Sequence, residues 1–228
     1  MAVCLAGVSR VSGQSVVVVV DPTKPAVETK LTADEQAIFN KALPAVRKHI
    51  PANVCESGDA GVEVTGVVHG SFSKVGARQT LVYYQYCQTG NGLGWVGLVL
   101  MEGGRVVGNF IADTGWTWDA GVLPDINQNG LDEFTLAYGG GSHGGIGGVG
   151  VDIMEFTGGK PKGIGWFKAQ DLVDMEPKRV WKVTAKPGNV PVFYKQKYLA
   201  AGENKWRRSG GNQLFKLTKA VGTFEVVK

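Results

Sequence analysis

The chain has 228 residues and a mass of 24.2 kDa, with 43% apolar and 19% charged side chains and a mean hydropathy of -0.02. That balance excludes a disordered chain, and the lack of any unbroken apolar run of membrane-spanning length excludes a spanning helix. Glycine, at 34 residues, is about twice its usual share. It follows no Gly-X-Y period, so it points to short strands joined by tight turns. The net charge of +4 hides an asymmetry. Residues 1–159 carry 9 basic and 15 acidic side chains (net −6), whereas residues 160–228 carry 15 and 5 (net +10). Two surfaces follow, one suited to cations and one to anions.

In chain order, residues 1–13 read as the remnant of a secretory signal, with a short apolar stretch from Ala2 to Val8 and small residues at Ser12 and Gly13. The expected location is therefore secreted or periplasmic. Removing this segment and its Cys4 leaves Cys55 and Cys87. These two bridge if the chain folds in an oxidising compartment and remain buried thiols otherwise. Residues 14–60 hold one strand and one helix. Ser15 to Val20 is valine-rich and ends at Asp21-Pro22, as a buried strand does. Thr32 and Glu35 form a capping box, followed by Ile38, Leu43, Val46 and Ile50 at helical spacing. The helix is expected over residues 33–49, with Pro44 kinking it or ending it early.

From residue 61 the period changes to strands. Extended segments are expected at 61–68, 80–87, 95–101, 105–111, 133–138, 149–156, 163–167, 179–184, 191–198, 213–217 and 223–227. Glycine or Asn-Gly turns separate most of them, as at Asn91-Gly92, Gly103-Gly104 and Gly158-Gly159. The chain thus divides into a β-repeat region, 61–159, and a basic β-rich part, 160–228. The glycine-rich run 139–150 reads as a flexible hairpin loop. It contains a literal G-x-S-x-G at Gly140–Gly144, but a strand follows where a nucleophile elbow needs a helix. His49, His69 and His143 share no ligand spacing. An internal repeat is visible: setting Gly76 against Gly130 pairs Phe72 with Ile126, Val82 with Leu136 and Tyr84 with Tyr138 at an offset of 54 residues. A weaker echo is Pro187-Gly188 leading into Val192-Phe193-Tyr194.

The sharpest chemical signal is Asp125-Ile-Asn127-Gln-Asn129-Gly130-Leu131-Asp132-Glu133. Oxygen-bearing side chains stand at positions 1, 3, 5 and 9, and a glycine at 6 permits a sharp reversal, a spacing that lets a loop curl around a hard cation. Without a metal, the same residues make an Asx turn on their own backbone. The unit from Leu123 to Tyr138 resembles the calcium-loop repeats of FG-GAP and VCBS proteins, D-x-[DN]-x-[DN]-G-x-x-D followed by an apolar strand. Gly70-Ser71-Phe72 resembles the start of a degenerate second copy. The resemblance implies a mainly β, propeller-like or partial-propeller body with one N-terminal helix. It also implies calcium as cofactor, held by Asp125, Asn127, Asn129, the Leu131 carbonyl and Glu133.

Two further patches are candidate ligand sites. Trp116 and Trp118, two apart in an extended stretch, offer a stacking platform for sugar. In the basic third, Lys205, Trp206, Arg207 and Arg208 cluster beside an expected turn at Ser209-Gly210-Gly211. Such a mixture suits an anionic polymer, and in an exported protein a polysaccharide or cell-envelope polymer is a better partner than nucleic acid. The sequence therefore reads as a secreted, calcium-stabilised β-repeat protein that binds or builds structure without catalysis. The rivals are a glycan hydrolase using carboxylates such as Asp119 and Asp132, and an anionic-polymer-binding module.

Overall fold

The computed structural model describes residues 15–25, 30–51, 53–55, 61–90, 93–143, 146–174 and 176–228. The 1–13 segment and the Asn91-Gly92 turn therefore lie outside the described residues. The fold is mainly β, with antiparallel sheets and one helix. Strands β2 (Glu63–Gly70), β3 (Gln79–Gly90), β4 (Leu93–Glu102) and β5 (Arg105–Thr114) form a meander, and the short β13 (Glu225–Val226) pairs with the free edge of β5. The second sheet runs in the order β12-β11-β10-β9-β8-β7-β6. Its strands are β6 (Trp116–Leu123), β7 (Glu133–His143), β8 (Ile146–Thr157), β9 (Lys160–Val173), β10 (Glu176–Lys186), β11 (Val192–Ala200) and β12 (Trp206–Phe215). Strand β1 (Val17–Val20) joins it on β10. Among the described residues neither a closed barrel nor a ring of blades is formed.

The period-2 pattern decides which face each residue buries. In β3, Leu81 and Tyr83 face the second sheet, while Val82 and Tyr84 face α1 (Ala33–His49). In β8, Met154 and Phe156 enter the inter-sheet core, whereas Val151 and Ile153 enter another core with Phe167, Val183 and Phe193. The middle strands are thus apolar on both faces. Between the sheets, the rings of Phe72, Phe134, Phe156 and Phe110 follow one another at 5.5–5.8 Å.

The helix begins at the expected capping box, with the Glu35 amide donating to Thr32 Oγ1 at 3.3 Å and the Thr32 amide to Glu35 Oε2 at 2.9 Å. Pro44 does not end it. The helix continues to His49 because Phe39 and Ala42 before the proline, and Val46 after it, are all buried against the five-stranded sheet. That packing outweighs one missing intrahelical hydrogen bond. Cys55, beyond the helix, is disulfide-bonded to Cys87 of β3.

Three other expectations are corrected. Within the expected loop at 139–150, residues 139–143 belong to β7, which runs to His143, and residues 146–150 to β8, which starts at Ile146. These glycines provide room, since a Cβ on Gly150 would strike the Trp166 indole and one on Gly148 would meet the Gln170 carbonyl at 2.9 Å. Ser209-Gly210-Gly211 is no turn but part of β12, at a bulge opposite Gln196, whose amide donates to the carbonyls of Ser209 and Gly210. Trp116–Leu123, absent from the expected strands, is β6.

The repeat extends further than the aligned motif. The strands of β2–β5 begin at 63, 79, 93 and 105, and those of β6–β9 at 116, 133, 146 and 160, a spacing of 53 to 55 residues. Both hairpin turns, 103–104 and 158–159, hold paired glycines at positive φ. The two loops also touch. The Ser71 amide donates to Asp132 Oδ2 at 2.7 Å, and the Asp132 amide returns a bond to the Ser71 carbonyl at 3.1 Å.

The segment after β12 ties the sheets together. Thr218 and Trp166 exchange backbone hydrogen bonds at 2.9 and 3.0 Å. The amides of Val221 and Gly222 donate to the buried Asp152 carboxylate at 3.0 and 2.7 Å. Phe224 is buried in the inter-sheet core, and the Val227 amide donates to the Asn109 carbonyl at 2.9 Å.

Candidate functional site

The 125–133 loop connects β6 to β7, and its curl comes from two left-handed residues, Gln128 (φ 64°) and Gly130 (φ 88°). Ile126, fully buried, anchors the loop from below. Asp125 Oδ1 accepts from the Asn129 amide at 2.9 Å and Oδ2 from the Gly130 amide at 2.8 Å. Asn127 Oδ1 also accepts from the Asn129 amide, at 3.1 Å, and Asn129 Oδ1 accepts from the Leu131 amide at 2.8 Å. The side-chain oxygens of positions 1, 3 and 5 thus turn inward onto the loop's own N–H groups, as in nested Asx turns.

Glu133 behaves differently. Its carboxylate is fully buried, with Oε2 accepting from the Ile126 amide at 2.8 Å while Oε1 is buried without a partner. Burial pushes its pKa up to about 7; the Ile126 amide and, more weakly, its own backbone amide oppose that rise, and the carboxylates of Asp125 and Glu155 add to it. Glu155 belongs to this site although no sequence spacing points to it. Its Oε2 accepts from Asn127 Nδ2 at 3.0 Å and from Asn129 Nδ2 at 3.2 Å, across the β7–β8 pairing. Register between strands brings it there, and register is not legible as a local motif.

Among the described residues, no group of three or more His, Cys, Asp or Glu side chains is set out to hold a metal ion. In donor chemistry the loop nevertheless fits a hard cation. It carries carboxylate and amide oxygens at Asp125, Asn127, Asn129 and Glu133; those of the first three accept from the loop's own amides, and one buried oxygen, Glu133 Oε1, lacks a proton donor.

The other candidate residues lie apart from this loop. Trp118 sits at a bulge in the β6–β7 pairing and is 43% exposed, while Trp116 is half-buried with its indole N–H buried and unpartnered. The bulge breaks strict alternation at Trp118, so spacing alone does not set the pair on one face. Lys205 and Arg207 are exposed where the edge strand β12 begins, Trp206 is half-buried, and Arg208 Nε donates to Gln196 Oε1 at 2.8 Å. Asp132 is engaged by the Ser71 amide, and Asp119 Oδ1 accepts from the Ala120 amide at 2.8 Å. No helix among the described residues is long and apolar enough to cross a membrane. Compared with protein families, characterised proteins and solved structures, the chain gives no significant match.

Proposed function

We propose that this chain is an exported β-repeat protein, stabilised by calcium in the 125–133 loop, that binds or builds structure rather than catalysing a reaction. One observation carries the reading: a buried carboxylate oxygen, Glu133 Oε1, without a hydrogen-bond donor in a loop otherwise made of oxygen ligands. A buried acceptor left in that state is costly, and a cation would satisfy it. Asp125, Asn127, Asn129, the Leu131 carbonyl and Glu133 would be its ligands. The finer architecture we propose is partial-propeller, with β2–β5 and β6–β9 as two successive blades; the regular spacing and the loop-to-loop hydrogen bonds support it. The Cys55–Cys87 disulfide supports a secreted or periplasmic location.

Thermal unfolding with calcium, magnesium or chelator tests the calcium reading. Millimolar calcium should raise the melting temperature of the wild type and leave an Asp125→Ala variant unchanged, because only the folded state binds. A wild type that melts identically with calcium and with chelator would reduce the loop to a turn. The second reading, an anionic polysaccharide or envelope polymer as partner, is favoured by the exposed Lys205 and Arg207 where an edge strand begins. The hydrolase reading is weaker, since Asp132 and Asp119 each already serve a backbone amide.

A further inference from the structure

The eight-stranded sheet forks. Strand β9 pairs with β10 only through residues 170–173, and farther along β10 that same edge is taken by β1 at residues 183–185. The first part of β9 has turned away to bond Thr218 through Trp166. Between the diverging branches lies a half-open cleft of about 250 Å³. Its lining combines aromatic rings with ammonium groups: Trp181 and Phe215 stand beside Lys168, Lys195 and Lys216, and no carboxylate lines it. Two acidic groups beside the lining strands are already paired, Asp171 with Lys168 and with Arg179 (3.2 Å), and Asp21 with Lys182 (2.8 Å). Lys195 Nζ lies 5.3 Å from the Phe215 ring centroid and Arg179 lies 6.0 Å from that of Trp181, so cations sit over both rings.

We infer that this cleft binds a carboxylated glycan, one sugar ring at a time. The volume falls below the roughly 300–1,000 Å³ of drug-sized pockets, which suits a single ring. Arg179 covers the Trp181 indole from outside the cleft lining, so the half-buried ring presents to the cleft a flat apolar surface for the C–H side of a pyranose. Lys195 and Lys216 supply point charges for a carboxylate on the ring's edge. Nucleic acid fits less well, since successive bases want a series of stacking rings along a basic groove. The inference deepens the polysaccharide reading above and is independent of the calcium loop.

The test titrates the full, disulfide-bonded chain in chelator-containing buffer, so that the calcium reading is not engaged. The probes are trigalacturonic acid, neutral maltotriose and a ten-residue oligothymidylate, read by calorimetry and tryptophan fluorescence. Trigalacturonate should bind with an affinity that falls as salt rises, and maltotriose should bind at least about tenfold more weakly. Trp181→Leu should weaken binding about tenfold or more, and Lys195→Gln with Lys216→Gln should remove most of the salt dependence. The lysine pair keeps the test valid should Trp181→Leu fold poorly. A Lys24→Gln, Lys41→Gln control, at exposed lysines outside the cleft, should bind within about twofold of wild type. Absence of trigalacturonate binding, equal loss in the control, or tighter binding of oligothymidylate would each overturn the inference.

Discussion

Asp152 holds two backbone amides from a segment about 70 residues away, and sits fully enclosed while doing so. Charge-assisted hydrogen bonds of this kind contribute more than neutral ones, and their loss leaves two part-buried backbone amides without their acceptor. Asp152→Ala should therefore cost about 2–4 kcal/mol in urea unfolding and speed hydrogen exchange at Val221 and Gly222. Asp152→Asn, which keeps an acceptor, should cost less. Glu35 works in the opposite electrostatic sense. Burial alone would raise its pKa, but hydrogen bonds from the Thr32 amide, His69, Thr80 and the Thr32 hydroxyl hold it down, to about 2 against an ordinary 4.5. A depressed carboxyl stabilises the fold fully above its unfolded pKa and loses that contribution as pH falls toward the folded value. The acid limb of wild-type stability between pH 4.5 and 2 should accordingly be steeper than that of Glu35→Gln. At neutral pH the variant should lose about 0.5–2 kcal/mol, the usual worth of a cap.

At the scale of elements, the glycine-rich β7–β8 hairpin marks the limit of what could be read ahead. Alternation and turn glycines made most strands legible, because period 2 and positive φ are local properties. The capping box did the same for the helix start. Glycines in β8 misled because their reason lies on the neighbouring strand: the space beside Gly150 is filled by Trp166 of β9. The candidate loop was legible as oxygen ligands around a turn, whereas Glu155 enters through strand register and the Trp181–Phe215 cleft through a fork in the sheet. Neither of those is a sequence-local feature. Substitutions can separate the two uses of glycine. Gly150→Ala should destabilise by about 1–3 kcal/mol through overpacking against the indole. Gly211→Ala, where an added Cβ meets nothing and φ is not in the left-handed range, should be neutral or mildly stabilising. Equal losses at the two positions, measured by thermal melts, would contradict that division.

For the molecule as a whole, the Cys55–Cys87 bond spans 32 residues and ties the segment that follows α1 to β3 of the five-stranded sheet. Chain-entropy reasoning assigns a loop of this length about 3–4 kcal/mol. Reduction should lower the urea midpoint with little change in slope, and intact mass before and after alkylation verifies the redox state. The clasp formed after β12 has a consequence in time rather than in energy. Strand β13, the Asp152 amides and the Val227 bond all lie beyond residue 217, while their partners are made more than a hundred residues earlier or in the middle of the chain. A ribosome moving from the N-terminus therefore releases both sheets before it releases what joins them. Contacts this distant close slowly. A nascent chain halted at residue 215 would carry β2–β12 with its inter-sheet core lacking Phe224 and an unanswered carboxylate at Asp152. Acquisition of the native structure must then wait for residues 218–227, which leaves the two sheets unjoined, and the polypeptide still threadable, until that segment has emerged.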